Sequence, residues 1–558
     1  MSAATLEHPQ DPAGSMGALS QAISRVWPAA LLVLMAALHV HLALTRSINW
    51  DEFWFYSQVE ALAQARNFQP LQTLHTQMFA WWLPQLGGTA VEQILTARWV
   101  MLGFTAIASA AIFVTARKIT NDTAAYLAVA AYLGGGFVLN HAASFRVYAI
   151  AAATLGSALA VAMCTRLRAP AILALGALIA VSALVTIKFV LWFPAFLGIA
   201  LWRWEEEGFD WRYVARWVAA GLVAAVMGAA LYLWHSAAAE AGQAAVSTTS
   251  YAGRSAAKMF GLFHSPYLYL MRHAALFAVP LALAVVLAPV LIARDKRSVA
   301  KRAALALLWF PVLTPLFYHN SAPYFYVFIL PPVAIAASVS FAFLAERYGA
   351  PMCAAAIALF AMMAWVTNEE PVTQRQHALL SAIDETFAEP VAYFDCCGMI
   401  GRFTKANGFM TPWGIEGYRA SGEPRFAGTM EEQPVPLLFD NEQMFAPLFE
   451  SDAPTFFHPE DEAALRTTYR HFWGDLYLAG RDLEAGETIN WNVLVPGTYT
   501  ASAPLVIDGA RVEAGATVEL ARGSVAISSP LNEPAYIMWG DNIAAPQMAA
   551  PSDYWGGF

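Results

Sequence analysis

The sequence contains few charged residues. Asp, Glu, Lys and Arg make up only 13% of the 558 residues, whereas 58% are hydrophobic and the mean hydropathy is +0.47. A soluble chain usually has about a quarter charged residues. This composition excludes an ordinary soluble globular protein and predicts a polytopic membrane protein.

Basic residues are scarce in the last third of the chain. Residues 367–558 contain 10 Lys and Arg against 27 Asp and Glu, whereas residues 1–366 contain 22 against 14. The change in charge occurs where the long apolar runs end, near Val366, and predicts a domain boundary. The acidic region argues against nucleic acid as a partner and against docking on an anionic membrane surface.

Cysteine is scarce as well, with four in the chain. Cys164 and Cys353 lie inside apolar runs, which is typical of small packing residues. Cys396 and Cys397 are neighbours, and no CxxC spacing is present for a metal site. The adjacent pair is therefore interpreted as packing residues or as a strained redox pair.

The N-terminus lacks a basic region and an evident cleavage site before its first apolar run. A secretory signal peptide would have both features. Residues 1–26 are therefore predicted to form a short cytoplasmic tail that precedes an uncleaved membrane anchor.

Long apolar runs, by contrast, are numerous. A helix needs about 20 apolar residues to cross the hydrocarbon core of a bilayer. The sequence predicts an α-helical transmembrane domain over residues 27–366 with about eleven spans. The runs are 27–45, 95–116, 122–142, 146–164, 170–186, 188–202, 214–235, 273–293, 303–318, 324–344 and 351–366.

The charges of the short loops predict the orientation in the membrane. Of the 22 basic residues before 367, 13 lie at alternate ends of the runs, from Arg117 to Arg347. Basic loops mark the cytoplasmic side. The outer loops 46–94 and 236–272, and everything from residue 367, would then face the periplasm of a bacterial inner membrane.

The region after residue 366 has two kinds of pattern. Residues 367–485 combine short apolar strands with helical stretches such as PEDEAALRTTYRHFW, which predicts an α/β domain. Residues 486–558 alternate apolar and polar side chains, with Gly at turn positions, which predicts a β-rich domain. Both domains are expected on the periplasmic side.

Two adjacent acids follow the first apolar run, in the segment SINWDEFWFYSQ at 47–58. Asp51 and Glu52 have aromatic residues on both sides. An apolar environment changes the proton affinity of a carboxylate, and a general base needs a tuned proton affinity. The alternative interpretation is a solvated loop start, where acids are common.

Two cations lie on the same predicted side as these acids. Arg146 in SFRVYA precedes the fourth run, and Lys188 in TIKFVLWFP lies between the fifth and the sixth. Charges near the bilayer are costly and are functional candidates by default, although each could also be a snorkelling side chain. Cations at this place suit a phosphate or pyrophosphate.

Several other residues on that side are weaker candidates. A lone histidine at an interface is more often structural than functional. The loop 236–272 is rich in small and polar residues and could move over a site as a lid. The weaker candidates are His75, Tyr148, His264, Arg272, His319 and Tyr324.

Four short motifs, taken in order, resemble those of the GT-C superfamily of membrane glycosyltransferases. They are WDEFWFYSQ, SFRVYA, TIKFVLWFP and APYFYVFILPP, within roughly residues 27–345. The superfamily includes protein O-mannosyltransferases, the lipid A aminoarabinose transferase and lipopolysaccharide-core galacturonosyltransferases. Several relatives have a further acid near the second motif, where this chain has uncharged residues.

The resemblance implies a GT-C-like fold and an enzyme of the cell envelope. It would move a single sugar from a polyprenyl-phosphate carrier to an acceptor hydroxyl, with inversion. The implied general base is Asp51, supported by Glu52. The residues implied at the donor phosphate are Arg146, Lys188, His319 and Tyr324, and those implied at the acceptor or lid are His75, Tyr148, His264 and Arg272.

The implied partners are a polyprenyl-phosphate-linked sugar donor, membrane lipids, and an acceptor that could be a lipid, a glycan or a protein. No cofactor is required with certainty, although a divalent metal could bridge Asp51 and the phosphate. Two other classes stay open. A transporter or flippase for a lipid-linked sugar often has inverted repeats, which are not found here, and a non-catalytic scaffold would not need cations and acids on one side.

Overall fold

The structure is a computed structural model. It describes residues 12–66, 73–240, 259–263, 265–368, 370–450, 454–530 and 533–556. The described residues form two compact units. The first, called the helical unit, contains those of Met1–Thr45, Pro70–His75 and Arg98–Glu369, and the second, called the mixed unit, those of Arg46–Gln69, Thr76–Ala97 and Glu370–Phe558.

Helices form almost all of the regular structure before residue 367. Short 3₁₀ helices lie at Leu83–Leu86, Ile187–Trp192 and Phe310–Leu316. The α-helices are α1 (Pro12–Thr45), α2 (Trp50–Ala63), α3 (Thr73–Ala80), α4 (Ala90–Ile119), α5 (Asp122–Leu133), α6 (Gly136–His141), α7 (Val147–Cys164), α8 (Ala169–Val185), α9 (Phe193–Glu206), α10 (Trp211–Glu240), α11 (Leu270–Leu276), α12 (Val279–Arg294), α13 (Val299–Trp309), α14 (Phe325–Tyr348) and α15 (Ala350–Val366).

The apolar runs predicted from the sequence fall largely on these helices. Among the described residues, seven helical segments are long and apolar enough to cross a membrane, and the pair α11 and α12, bent by 105°, could add an eighth. Helices α8 and α15 are apolar but shorter. The chain is a multi-pass membrane protein, and the predicted number of about eleven spans is not confirmed.

Helix α14 lies at the centre of the helical unit. It is buried over most of its length and packs against α5, α7, α12 and α13. Ala334, Ala336 and Ala337 are fully buried. Small side chains let helix backbones approach closely in a membrane, where van der Waals packing replaces the hydrophobic effect.

Strands belong to the mixed unit. An eight-stranded sheet has the order β10-β7-β12-β5-β3-β1-β2, with β4 also paired to β5, and a four-stranded sheet has the order β6-β11-β8-β9. The strands are β1 (Ala392–Phe394), β2 (Thr404–Lys405), β3 (Leu437–Phe439), β4 (Tyr469–Trp473), β5 (Leu476–Leu483), β6 (Thr488–Val493), β7 (Gly497–Ala501), β8 (Leu505–Ile507), β9 (Ala510–Val512), β10 (Thr517–Leu520), β11 (Gly523–Ser528) and β12 (Ala535–Trp539).

The larger sheet is parallel at one end and antiparallel at the other. Strand β1 pairs in parallel with β2 and β3, and Tyr393 is opposite both Lys405 and Leu437. All pairings from β3 through β5, β12 and β7 to β10 are antiparallel. The sheet includes strands from both sides of residue 486, and the predicted division into domains 367–485 and 486–558 stays a prediction.

Helices of the mixed unit flank the parallel end of the sheet. A buried core of aromatic and aliphatic side chains extends from this α/β part to the four-stranded sheet and includes Phe394, Phe445, Phe457 and Trp491. The helices after residue 366 are α16 (Thr373–Thr386), α17 (Pro412–Ser421), α18 (Phe426–Glu432), α19 (Ala446–Phe449) and α20 (Pro459–Thr468). This α/β character over 373–468, followed by β-strands, agrees with the sequence patterns.

The segment around α2 packs with the C-terminal region, far away in sequence. The Ser47 hydroxyl oxygen accepts a hydrogen bond from the Val372 backbone N–H at 3.0 Å. The Arg66 guanidinium donates to the carbonyls of Phe403 at 2.7 Å and Gly401 at 3.1 Å. The residues that follow the first span are thus fixed by the mixed unit.

Asp440 provides a pH-dependent contribution to the stability of this unit. It lies directly after β3, is buried, and accepts a hydrogen bond from the Phe445 backbone N–H at 2.8 Å. Burial raises the pKa of its carboxyl to about 6. Because the folded chain binds this proton more tightly than the unfolded chain, the contribution is complete below the unfolded pKa and is lost as the pH rises through about 6.

Asp440→Asn is therefore expected to stabilise the mixed unit at neutral pH. The amide still offers an oxygen to Phe445 and carries no buried charge, so we expect a gain of about 1–2 kcal/mol at pH 7.5 and little at pH 4.5. Thermal unfolding of the full-length protein in detergent at both pH values measures this. The exposed Asp553→Asn is the control, and an equal effect of Asp440→Asn at both pH values would contradict the assignment.

Candidate functional site

The two adjacent acids lie in the first turn of α2 and have different surroundings. Asn49 is the N-cap, and its side chain accepts a hydrogen bond from the Asp51 backbone N–H at 2.9 Å. The Glu52 carboxylate accepts from the Asn49 backbone N–H at 3.2 Å and completes a capping box. Glu52 is fully buried and has this structural function, whereas Asp51 is half-buried.

Two tryptophans near Asp51 on α2 pack with a phenylalanine of the C-terminal region. Residues three or four positions apart on a helix are neighbours. Trp54 is therefore a neighbour of both Trp50 and Asp51 on the surface of α2. The ring of Phe409 stacks on Trp54 with 4.6 Å between centroids and 8° between planes, and it meets Trp50 edge-on at 6.4 Å. All three rings are half-buried.

The remainder of α2 is held by buried hydrogen bonds. The Tyr56 hydroxyl lies 2.6 Å from a Glu60 carboxylate oxygen and 2.8 Å from the Gln93 side-chain oxygen. Burial and the neighbouring Glu60 charge raise the pKa of Tyr56. The tyrosine therefore remains a neutral donor, and this side of the helix has a fixed position.

Gln376 fixes the segment that enters α2. Its side-chain oxygen accepts from the Ile48 backbone N–H at 3.0 Å, and its side-chain nitrogen donates to the Ile48 carbonyl at 2.8 Å. Both residues are fully buried. Three residues later in the chain, Asp51 depends on this pair for its location.

Gln376→Leu is expected to displace Asp51 without touching it. The substitution leaves the buried N–H and C=O of Ile48 without their partners, at a cost of about 1–3 kcal/mol each. We expect faster amide exchange over 46–52, because loss of these hydrogen bonds makes local opening of the segment easier. The exposed Gln374→Leu on the same helix is the control, and unchanged exchange in Gln376→Leu would contradict this function.

The predicted cations lie in the helical unit, each at the start of a helix. Arg146 is the N-cap of α7 and is 2% exposed, and its guanidinium carbon lies 3.6 Å from the ring centroid of Tyr324. Lys188 lies in the 3₁₀ helix Ile187–Trp192, where the Thr186 hydroxyl accepts from its backbone N–H at 3.3 Å. Stacking on an aromatic face is a favourable environment for a buried guanidinium.

Two tyrosines join these cations into one cluster. The Lys188 ammonium donates a hydrogen bond to the Tyr148 hydroxyl and lies 5.5 Å from the ring centroid of Tyr318. The rings of Tyr148 and Tyr324 stack with 5.3 Å between centroids. The structure thus brings together four of the predicted residues, Arg146, Tyr148, Lys188 and Tyr324, called the cation cluster below.

Two hydrogen bonds fix the helix that begins at this cluster. Pro331 and Pro332 have no N–H and leave the carbonyls of Val327 and Phe328 without helical partners. The Tyr132 hydroxyl donates to the Val327 carbonyl, and the Trp192 indole N–H to the Phe328 carbonyl, both at 3.0 Å. The proline pair is thereby accommodated inside α14, and the start of this helix is tied to α5 and to the segment after Lys188.

The other predicted residues have separate positions. His75 is fully buried with its ring 4.7 Å from Phe145, and burial lowers its pKa to about 3, so the imidazole is neutral. The His319 backbone bonds to Met259 and Ser265 at 2.8 and 2.7 Å. Arg272 is exposed on α11, and His264 lies outside the described residues.

Three sets of residues beside the cation cluster, α2 and α14 were not predicted from the sequence. His141 lies with its ring 6.2 Å from that of Tyr324, beside the cation cluster. Phe409 and Gln376 support α2, and Tyr132 and Trp192 support α14. A signal existed only for the last pair, because adjacent prolines in a span require donors for two carbonyls.

A divalent metal at Asp51 stays a prediction. Within the ranges that the structure describes, no group of three or more His, Cys, Asp or Glu side chains could hold a metal ion. Mg²⁺ can be bound by one or two carboxylates together with substrate phosphates. Asp51 would offer such an ion one carboxylate.

Cys396 and Cys397 form a disulfide between adjacent residues. Both are fully buried at the turn after β1. Next to them, the Asp395 carboxylate accepts from the Lys405 ammonium at 2.6 Å and from the Asn441 side chain at 3.0 Å. Burial lowers the pKa of Lys405, and the Asp395 charge opposes this shift. The disulfide and these hydrogen bonds to Asp395 therefore fix the turn within the mixed unit.

The chain is similar to known proteins in structure but not detectably in sequence. No protein-family model and no curated protein matches the chain. ArnT from Cupriavidus metallidurans bound to undecaprenyl phosphate matches with a TM-score of 0.52 and 13% identity, over 77% of this chain and 96% of that one. The oligosaccharyltransferase AglB from Archaeoglobus fulgidus, in complex with an inhibitory peptide and a dolichol-phosphate, matches with a TM-score of 0.52 and 11% identity, over 94% and 98%.

At these identities the likeness is one of fold. It extends over nearly the whole length of both solved proteins, including, for AglB, almost all of this chain. The fold class predicted from the sequence is confirmed at this level. The chain has the GT-C fold, a polytopic α-helical membrane domain followed by a C-terminal region that is α/β and then β-rich.

Proposed function

We propose that the protein is an integral membrane glycosyltransferase of the GT-C type. It moves a single sugar from a polyprenyl-phosphate carrier to an acceptor hydroxyl. The observation that carries this proposal is the cation cluster, in which a buried arginine and a lysine meet two stacked tyrosines. Support comes from the fold, which is shared with proteins solved with undecaprenyl phosphate or dolichol-phosphate.

The cation cluster would bind the donor phosphate. Stacking on Tyr324 covers a face of the Arg146 guanidinium, while its N–H donors lie in the guanidinium plane and suit phosphate oxygens. Lys188 adds a point charge on a flexible stem, oriented by Tyr148. Together they would stabilise the negative charge that grows on the phosphate as it leaves.

Asp51 would be the general base of the transfer. The acceptor hydroxyl gives its proton to the Asp51 carboxylate as its oxygen attacks the anomeric carbon. The bond from this carbon to the phosphate oxygen breaks, and the lipid phosphate leaves with the electron pair. Displacement in one step inverts the anomeric centre. A phosphate leaves readily, so no strong general acid is needed.

The reaction is proposed to occur at the periplasmic face of a bacterial inner membrane. Arg117 and Lys118 lie in the last turn of α4, and Arg347 in the last turn of α14. Basic residues concentrate at the cytoplasmic ends of spans. The segment after α1, which contains Asp51, and the region from residue 367 would then both be periplasmic.

A direct test uses the purified full-length protein in lipid nanodiscs. It is supplied with undecaprenyl phosphates that carry a hexose, a pentose, an aminopentose or a uronic acid, together with an envelope glycolipid extract. We expect release of undecaprenyl phosphate from one donor, dependent on Asp51 and on the extract. If no donor is cleaved, and the intact lipid-linked sugar instead crosses proteoliposome leaflets, the protein is a flippase and the proposal is wrong.

A further inference from the structure

We propose that Trp50, Trp54 and Phe409 form a binding surface for a sugar ring of the acceptor, called the aromatic platform below. The acceptor would then be a glycan or a glycolipid, and its reactive hydroxyl would belong to a neutral pyranose. This inference rests on the proposed function, because it names the acceptor class for the same reaction. It adds Phe409, a residue from the C-terminal region, to the site.

The position of the platform follows from the geometry of α2. Trp50 precedes Asp51 directly, and Trp54 lies three residues after it, on the same side of the helix. Phe409 stacks on Trp54 and contacts the edge of Trp50. Asp51 and Trp54, three residues apart, lie on one face of α2, so a sugar bound to the platform would lie near the Asp51 carboxylate.

The platform has a rigid support. Phe409 lies in the connection from β2 to α17, and the neighbouring Met410 backbone N–H donates to the Cys396 carbonyl at 3.1 Å. Two residues before Phe409, the Asn407 side chain donates to the Asp395 carbonyl at 2.9 Å. The disulfide turn thus holds the backbone on both sides of the phenylalanine. A surface that is already ordered loses little entropy when a ligand binds.

The chemistry of the platform suits a neutral sugar. One face of a pyranose consists of C–H bonds and packs flat against aromatic rings, while its hydroxyls point outward from the edge. Three uncharged rings beside a carboxylate fit that arrangement, and they are a poor match for a phosphorylated or acidic sugar. A peptide acceptor would instead require backbone donors and acceptors or a pocket for its side chains.

The chain offers a matched control for aromatic stacking. Phe449 of α19 stacks on Tyr477 of β5 with 4.1 Å between centroids and 11° between planes, and both rings are half-buried. Phe449→Leu removes a stacked phenylalanine from the same unit without changing α2. Phe409→Leu makes the same chemical change at the platform, and Phe409→Tyr restores a ring there.

The test measures sugar binding separately from transfer. Saturation-transfer difference NMR is recorded on the full-length protein in nanodiscs with methyl β-glucopyranoside, methyl β-galactopyranoside and methyl α-mannopyranoside. We expect transfer to the C–H protons of at least one pyranoside. Its Kd should rise roughly 5- to 10-fold in Phe409→Leu, and stay at the wild-type value in Phe409→Tyr and Phe449→Leu.

A kinetic measurement separates binding from positioning. We expect Phe409→Leu to raise the acceptor KM by a similar factor and to leave the donor KM and kcat near the wild-type values. A lower kcat with an unchanged acceptor KM would show that Phe409 only holds α2, and it would overturn the proposal. Absence of pyranoside binding to the wild-type protein would also overturn it.

Failure of this inference differs from failure of the proposed function. If Phe409→Leu weakens pyranoside binding in a protein that transfers no sugar, the aromatic platform stands and the enzyme assignment fails. If sugar transfer depends on Asp51 while Phe409→Leu leaves the Kd for the pyranoside unchanged, the enzyme assignment stands and the aromatic platform is wrong.

Discussion

Asp51→Asn is expected to lower kcat for sugar transfer by roughly 10²–10⁴-fold, the contribution of a well-placed general base. The amide has almost the same shape as the carboxylate but does not take a proton from the acceptor hydroxyl. The helix should begin as before, because the hydrogen bond from residue 51 to Asn49 uses its backbone N–H and the capping box uses Glu52. Donor binding should therefore persist.

The measurement is kcat with saturating donor, accompanied by the Kd for undecaprenyl phosphate. Glu52→Gln is the matched control, since its amide oxygen can still accept the bond from the Asn49 backbone. We expect a loss of less than about tenfold there, as for groups outside the proton transfer. An Asp51→Asn protein with wild-type kcat would remove the base assignment, and an equal loss in both variants would give the acids a joint function.

Loss of Arg146 or Lys188 should affect the donor instead. A hydrogen bond to a charged group contributes about 1.5–3 kcal/mol, so Arg146→Ala and Lys188→Ala should each raise the Kd for undecaprenyl phosphate by roughly 10- to 100-fold. The two side chains share the stacked pair Tyr148 and Tyr324. Their effects should therefore not add, because contacting residues are coupled.

Binding of undecaprenyl phosphate to the nanodisc-embedded protein measures both effects. Arg146→Lys keeps the charge of a buried residue while removing the planar stack on Tyr324, so it tests the geometry in a protein that folds. We expect an intermediate Kd for this variant. The exposed Arg212→Ala controls for general loss of charge. Unchanged Kd values in both alanine variants would place the phosphate elsewhere.

The sequence predicts the helical domain and singles out the two cations of the cluster because both leave local signals. Apolar runs are long, and a cation near the bilayer is costly, so Arg146 and Lys188 stand out among their neighbours. Their motifs also contain Tyr148, and the late span begins at Tyr324, which the structure places against them. The resemblance to GT-C motifs depends on the same few residues.

Contacts between distant parts of the chain leave no such signal. Gln376 lies 328 positions from its partner Ile48, and Phe409 is even further from Trp54 in the sequence. No periodicity or spacing connects these residues, and only the folded mixed unit brings them to α2. The number of spans could not be determined from hydropathy in a sliding window either. A bend such as the 105° between α11 and α12 does not change the hydropathy of the segment.

Glu52 has a structural contact that the local sequence pattern already indicates. The acid lies three residues after Asn49, the spacing of a capping box. The capping box gives the buried Glu52 carboxylate a hydrogen-bond partner at the start of α2, and its support of Asp51 in catalysis stays a prediction. The pair of acids thus contains one residue with a structural function and one, Asp51, that is placed in the first turn with a half-buried carboxylate.

Sugar transfer with Asp51 as the base can be tested in cells. Envelope glycolipids and glycans are compared by mass spectrometry in a native strain, a deletion strain, and a deletion strain that expresses Asp51→Asn. We predict that one sugar mass disappears in both altered strains and returns with the wild-type gene. If the deletion removes that mass and Asp51→Asn restores it, Asp51 is not the base and the proposed mechanism is wrong.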